Sequence, residues 1–553
     1  MPTGAQLFVD SLLDLGIREI FTLVGDHLNE ALSCAAARGM KIVDMRHESG
    51  VTHAADVFAR QRRRPAVSMV TGGPGHTNSL TGIATASMIG SPLIAVSGAA
   101  PQAPAGRQLF QVIDQVGMTA PVVKWAAQPT NPGQIPYMLG RAYAEAAAGR
   151  MGPVHLSIPV DVFAGATEKP LAMPAPLPAP ALAPDVRDVE RALALLRKAK
   201  SPVVIAGSGV WWAGAEKELQ RFLNLTKLPH YSITLARGAV SDQHRGSMGY
   251  ADAALNRAVV PTFQEADVVL VLGKRLDSRL ALGGPKLFSP EAKFIQVDLH
   301  APELNNTRQL EIGICAGVKA TLRMMTGAIG KKAWPAPTAW LRRQRRRRDD
   351  WRAELSARAA EKGTRIHPAA FFQELRRHLP DCLYSWDGGD FVHWGRAILP
   401  ATRPGGWMRL GPLATIGAGL PNAAGLQLAN PKERVLMITG DGSLGFYIAE
   451  LDTLVRHRLP VVIIAGNDAG WGVERELQGA VQGTTVACEL RRTRYDLVMK
   501  GFGGEGEDIN TLRQVGPAIR RAFASGKPYL LNVNVRAARS PFSEWAIQRK
   551  LGG

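Results

Sequence analysis

At 553 residues the chain is too long for one hydrophobic core, and roughly two to four domains are expected. Its apolar content of 46% is that of an ordinary globular protein, and no run near 20 apolar residues offers a membrane span. The net charge of +19 invites a nucleic-acid reading, but much of the excess falls in one run from Trp340, with no helix-turn-helix, zinc-finger or RNA-binding signature around it.

In chain order, MPTGAQLFVDSLLDLGIREIF is amphipathic and acidic, without the basic flank and apolar core of a signal peptide. KIVDM, AVSMV and PLIAVSG follow as buried strands, separated by HAADVFARQ and GIATASMIG. EKPLAMPAPLPAPALAPD (168–185) alternates proline and alanine and reads as an extended linker. SPVVIAGSG, ADVVLVLG and KFIQVDLH are the next strands. GKKAWPAPT is a second linker, before WLRRQRRRRDDWRAELSARAAEK. That basic run predicts a solvated helix between domains, with Asp349, Asp350 and Glu354 pairing to arginines three or four residues away. DCLYSW, RVLMITGDG, LPVVIIAGND and PYLLNVNV close the series.

Continuous apolar strands alternating with helices mean parallel sheets covered on both faces. The expectation is an α/β protein of three doubly wound domains, at 1–165, 186–330 and 363–553, joined by the Pro/Ala linker 166–185 and a basic linker 331–362. Cys34, Cys315, Cys382 and Cys488 form no CxxC pair. That pattern argues against a disulfide framework and fits a reducing cytoplasm.

In such sheets ligands sit where strands run into helices. Glycine-rich turns occur there at 71–78, 206–214, 272–284, 411–421 and 440–445. None carries GxGxxG with an acidic residue about twenty positions on, which disfavours a nicotinamide dehydrogenase. The stretch GDGSLGFYIAELDTLVRHRLPVVIIAGND reads as turn, amphipathic helix, strand and turn, following the strand RVLMIT. A βαβ unit would bring Asp441 and Asp468, 27 positions apart, to one sheet edge. Two carboxylates and a carbonyl would suit Mg²⁺, and the N–H groups of Gly442 and Ser443 would favour an anion beside it. A helix cap at Asp441 and a turn at Asp468 fit the spacing equally well.

The same stretch resembles the GDG…N(N) coenzyme motif of thiamine diphosphate (ThDP) enzymes. VDMRHESGVTHAADVFAR resembles their glutamate segment, and VTGGPGHTNSLTGIATASMIGSPLIAVSG the GPGxTN segment of the acetolactate synthase group. LVGDHLNEAL, FQVIDQVGMTAPVVKWA and DGGDFV resemble benzaldehyde lyase and the 2-hydroxyacyl-CoA lyases.

The resemblance implies a ThDP- and Mg²⁺-dependent enzyme that makes or breaks C–C bonds through a carbanion/enamine. It also implies a homodimer or homotetramer with sites shared between subunits. Glu48 matches the glutamate that exchanges a proton with the pyrimidine ring, in a dry site. His27 and Gln111 would face the substrate. Pro74, Asn78 and the Ala414 carbonyl would contact the pyrimidine, and Ile416 would bend the coenzyme. Gly388, Gly389, Asp390, Gly442 and Ser443 would meet the diphosphate, and Asp441, Asp468 and the Gly470 carbonyl the metal. Trp471 would wall the cavity.

Some residues depart from the pattern. Asp468 stands where the family usually has Asn, adding a negative charge. Val392 replaces a tyrosine of benzaldehyde lyase, which weakens the case for an aromatic substrate. Arg237 stands where oxalyl-CoA decarboxylases carry a lysine. GKRLDSRLALGG resembles the FAD-contacting segment of acetolactate synthase, and FAD rests on that segment alone.

The expected partners are 2-oxo acids, aldehydes, acyloins or acyl-CoAs, not nucleic acid or membrane. An acetolactate synthase-like carboligase or lyase leads. A 2-hydroxyacyl-CoA lyase and a simple 2-oxo acid decarboxylase are the alternatives, and a non-catalytic regulatory member is the reading from another class.

Overall fold

The computed structural model describes residues 1–102, 109–175, 182–330, 333–361 and 363–552. It contains three sheets of six strands, every pairing between them parallel, with helices on both faces. The strands read as apolar runs because both faces are covered. Val435–Gly440 and Val462–Asn467, for example, are buried at every position.

The first sheet runs Lys41–Asp44, Glu19–Leu23, Ala66–Val70, Leu93–Ala99, Val154–Pro159, Ala126–Ala127. The third runs Trp407–Arg409, Leu383–Trp386, Val435–Gly440, Val462–Asn467, Tyr529–Asn534, Glu505–Ile509. Numbered within its own domain, each has strand order 2-1-3-4-6-5. The middle sheet has order 6-5-4-1-2-3 about Pro202–Ala206 and Val268–Leu272. In all three the strand order reverses beside the first strand, and the crevice at that point is where the fold places a ligand.

The outer domains meet through helix Glu48–Arg62, which lies against helix Gly419–Ala429. Gly425 has no room for a Cβ because the backbone of Ala54 occupies that space.

Two expectations about helices change. FYIAELDTLVRHR is not one helix. Helix Asp441–Phe446 starts within the GDG turn itself, breaks at Tyr447, and a second helix covers Glu450–Arg456. The basic run does form a helix, Thr338–Ala359, but it is not simply solvated. Trp340, Leu341, Trp351 and Leu355 are buried in the core it shares with the middle and last domains. Its arginines reach outward, Arg343 and Arg347 to Glu265 and Arg348 to the Ser247 carbonyl. Within the helix, the i,i+3 pairing recorded is Arg352 with Asp349 at 3.7 Å.

Candidate active site

In the last domain the reversal point lies between Leu383–Trp386 and Val435–Gly440, so the turns leaving those strands are neighbours. Gly440 N–H donates to the Gly388 carbonyl at 3.1 Å. A Cβ on Gly388 would collide with Ile416 and lie 3.1 Å from Ser443 Oγ, and Gly389 has φ +113. Gly388, Gly389, Ile416 and Ser443 therefore form one cradle, bare of side chains at its centre. Asp387, which the sequence reading overlooked, holds it. Its buried carboxylate accepts N–H bonds from Gly388 and Gly417, both at 2.8 Å, and the Thr439 hydroxyl at 3.1 Å. Burial pushes its pKa up to about 6 against those bonds. Ala414, with φ +58, lies exposed on the same loop.

Asp441 opens the short helix after Gly440 and is buried, while Asp468 follows the adjacent strand. Gly470 N–H donates to Asp441 Oδ2 at 3.2 Å. Burial, then the neighbouring Asp468, push the Asp441 pKa up to about 7. Burial also raises that of Asp468, against Arg475. Arg475 Nη2 donates to Asp468 Oδ2 at 2.5 Å from helix Gly472–Gln482. Asn467 is buried and committed to the scaffold through the Thr493 carbonyl at 2.9 Å and Asn532 at 3.2 Å. Of the Asn-Asp pair, only Asp468 turns toward Asp441.

The buried Asp441 and the half-buried Asp468, with Arg475 paired to only the second, lie beside a turn of glycines and fit a hard divalent cation and a diphosphate. Among the described residues no larger His/Cys/Asp/Glu cluster offers an alternative metal site. The Trp471 ring lies over Gly442 and edge-on to Phe446, at 5.9 Å between centroids. Asp390 plays a different part from the glycines before it. Its carboxylate accepts from Ser540 N–H at 3.1 Å and Ser543 Oγ at 2.8 Å, anchoring the C-terminal helix Pro541–Leu551. Val392 is buried in the core.

The first domain repeats the pattern. Strands Glu19–Leu23 and Ala66–Val70 pair at its reversal point, which sets His27 beside Thr71 and Gly72. Gly72 N–H donates to His27 Nδ1 at 3.2 Å, which leaves Nε2 to carry the proton of the neutral ring. Gln111, with φ +60, packs against Gly73. Gln115 was missed because one FQVIDQ segment holds two glutamines. It accepts from Gly73 N–H at 3.0 Å and donates to the Gly98 carbonyl and Ser157, fixing the turn.

Glu48 begins helix Glu48–Arg62, and Asn78 Nδ2 donates to its Oε2 at 3.0 Å. Pro74 and Asn78 are exposed and Glu48 is half-buried, so the dry surroundings expected for Glu48 are not complete within one chain. No hydrogen bond or ion pair among the described residues joins Glu48 to the Asp441 cluster. Close to Glu48, bonds to the last domain include Ser49 to the Tyr447 hydroxyl at 2.8 Å and Arg46 N–H to Glu450.

At the middle domain's reversal point a cavity of about 450 Å³ is lined by Ser208, Gly209, Gly273, Lys274 and Asp298. Its size is that of a small-molecule site. Segment 272–284, singled out for FAD, contributes to its wall. Arg237 instead is buried and bidentate on Asp242.

Comparison with known proteins gives the same three-part division. Thiamine pyrophosphate enzyme models match the N-terminal TPP binding domain over residues 2–118, the central domain over 189–325 and the C-terminal TPP binding domain over 387–533. The acetolactate synthase large subunit of Mycobacterium tuberculosis is 34% identical over 96% of this chain and 95% of its own length. The acetolactate synthase isozyme 3 large subunit of Escherichia coli is 30% identical over 95% and 92%, and human 2-hydroxyacyl-CoA lyase 1 is 27% identical over 96% and 94%. With that coverage, and with the glycine cradle and paired aspartates in place, the chain belongs to the thiamine pyrophosphate enzyme family and is a ThDP-dependent enzyme.

Proposed function

We propose that the protein is a Mg²⁺-assisted carboligase or lyase acting on 2-oxo acids or acyloins, of the acetolactate synthase type. The observation that carries the Mg²⁺ site is the Asp441–Asp468 pair beside the Gly388–Ser443 cradle. The acetolactate synthase names of the 34% and 30% relatives favour this reaction class.

When bound, ThDP supplies a carbon that takes up the electron pair of a broken C–C bond. Glu48 holds and returns a proton at the pyrimidine ring, oriented by Asn78. Asp441, Asp468 and the Gly470 carbonyl hold the metal, and N–H groups of Gly389, Gly442 and Ser443 meet the diphosphate over the bare backbone of Gly388, whose own N–H is held by Asp387. Asp390 contributes through its backbone. Ala414 and Ile416 meet the ring system, with Pro74 across from them. His27 Nε2 moves a proton at the substrate oxygen, Gln111 orients that oxygen, and Trp471 excludes water.

The exposure of Pro74, Asn78 and Ala414, with Phe110 82% exposed beside Gln111, supports a homodimer or homotetramer in which a second subunit completes each site. The four unpaired cysteines fit a reducing, cytoplasmic setting.

A 2-hydroxyacyl-CoA lyase is the second reading. The central cavity is large enough to hold part of CoA, or alternatively FAD. Supplying ThDP and Mg²⁺ with pyruvate, glyoxylate, benzaldehyde, formaldehyde or 2-hydroxyacyl-CoAs, with products followed by mass spectrometry, separates the readings. Acyloin formation from 2-oxo acids is expected. Cleavage of the thioesters alone would favour the lyase, and a yellow flavin absorbance in the purified protein would assign the cavity to FAD.

A further inference from the structure

A second cavity lies where the middle domain, the arginine-rich helix Thr338–Ala359 and the last domain meet. It encloses about 50 Å³, against the roughly 10–15 Å³ of such space that one water needs. Five guanidinium groups line it, those of Arg237, Arg348, Arg352, Arg376 and Arg396. Two carboxylates answer them. Asp242 is taken up bidentately by Arg237, and Asp349 is shared by Arg348 at 2.9 Å and Arg352 at 3.7 Å. Among the described residues Arg396 meets no carboxylate, but the Tyr250 hydroxyl at 3.0 Å, the Tyr250 ring and a His393 ring nitrogen at 3.2 Å. Arg376 has neither ion pair nor hydrogen bond among the described residues.

Partial desolvation at the cavity mouth and the like charges of Arg348 and Arg376 hold the Arg352 pKa below its ordinary value. The lining also carries three buried N–H donors without an acceptor, Nε of Arg237, Nε of Arg396 and Nε1 of Trp351. Buried donors are ordinarily paired, so the lining lacks an acceptor that is also an anion. One buried acceptor, Asn256 Oδ1, is equally unmet. A hydrogen phosphate group supplies both. Its oxygens accept from guanidinium and indole N–H groups, and its remaining P–O–H donates to an amide oxygen.

We propose that this cavity binds a compact, phosphate-type oxyanion, either free phosphate or the phosphoryl end of a small metabolite. Arg237 and Arg396 form its buried floor, and the exposed Arg352 and Arg376 stand at its mouth. It is separate from the diphosphate cradle, although Arg396 lies on helix Asp390–Ile398, which begins at that cradle. The site does not depend on the reaction assigned above.

Calorimetric titration of inorganic phosphate into protein saturated with ThDP and Mg²⁺ tests it, with the catalytic loops already filled. One saturable site per chain is expected, weakened about tenfold or more in Arg352→Gln and in Arg376→Gln. Arg377→Gln, one position on and outside the lining, removes the same charge and is expected to bind phosphate as the parent does. Sulfate, with no proton to donate, binds more weakly. Glycerol 3-phosphate binding more tightly than phosphate would assign the site to a metabolite's phosphoryl group, and weaker binding would assign it to the free ion. No saturable heat would mean that water alone fills the cavity. Unchanged affinity in both mouth variants, or an equal loss in Arg377→Gln, would also overturn the proposal, the latter by tracing binding to the diffuse field of a chain with net charge +19.

Discussion

Asp468 shows how far a single residue could be read from its letter. Its spacing from Asp441 on a βαβ unit was enough to bring the two carboxylates to one sheet edge, and they do meet there. The sequence reading left its charge uncompensated. The structure pairs it with Arg475, seven positions on in the first turn of the next helix, which no spacing rule links to a metal turn. The extra carboxylate and Arg475 therefore act as a unit that replaces a neutral side chain. Arg475→Met is expected to weaken ThDP binding about tenfold, because a bare carboxylate then faces the diphosphate. Asp468→Asn/Arg475→Met should recover to within about threefold of the parent, since both charges leave together. Quenching of protein fluorescence by ThDP at fixed Mg²⁺ measures both. Additive losses in the double variant would show that the two side chains act separately.

At the scale of elements, the joint between the outer domains carries an unexpected ionisable group. Glu450 is buried, accepting the Thr453 hydroxyl at 2.5 Å and Arg46 N–H at 3.2 and 3.3 Å. Burial pushes its pKa up from 4.5 to about 7. The folded protein thus holds this proton more tightly than the unfolded chain does. Its contribution is fully present below pH 4.5 and is lost as pH rises through 7. Glu450→Gln should therefore be more stable than the parent at pH 8, by on the order of 2–3 kcal/mol, with the gap closing below pH 5. Thermal unfolding of both proteins across that range measures it, and a pH-independent gap would contradict the account. Sequence could not show this, because Glu450 sits in a stretch that reads as the polar face of one helix. Only the break at Tyr447 turns it inward.

The arginine-rich helix makes the same point in reverse. Its charges dominate the sequence, yet its place is set by Trp340, Trp351 and Leu355 in the core. Trp351→Ala should cost roughly 3–5 kcal/mol in denaturant unfolding, and Arg346→Gln, an exposed change, within about 0.5 kcal/mol.

At the scale of the whole molecule, the outer domains are two copies of one plan, strand order 2-1-3-4-6-5. The long apolar strands of that plan were legible because burial on both faces removes alternation. Short strands such as His230–Ser232 and Trp407–Arg409 were not, since three residues carry no period. Glu19–Leu23 was hidden at the end of a stretch that reads as an amphipathic helix. The repeated plan explains why glycine turns recur at matching places, 71–73 after the third strand of the first domain and 440–442 after the third strand of the last.

In the proposed mechanism Glu48 serves proton transfer while residues of the last domain hold the diphosphate and metal. The direct measurement is Glu48→Gln, assayed for ThDP binding and turnover on the same preparation. ThDP and Mg²⁺ affinity within about threefold of the parent is expected, with turnover reduced by about 10²-fold or more. Turnover equal to the parent would contradict that mechanism.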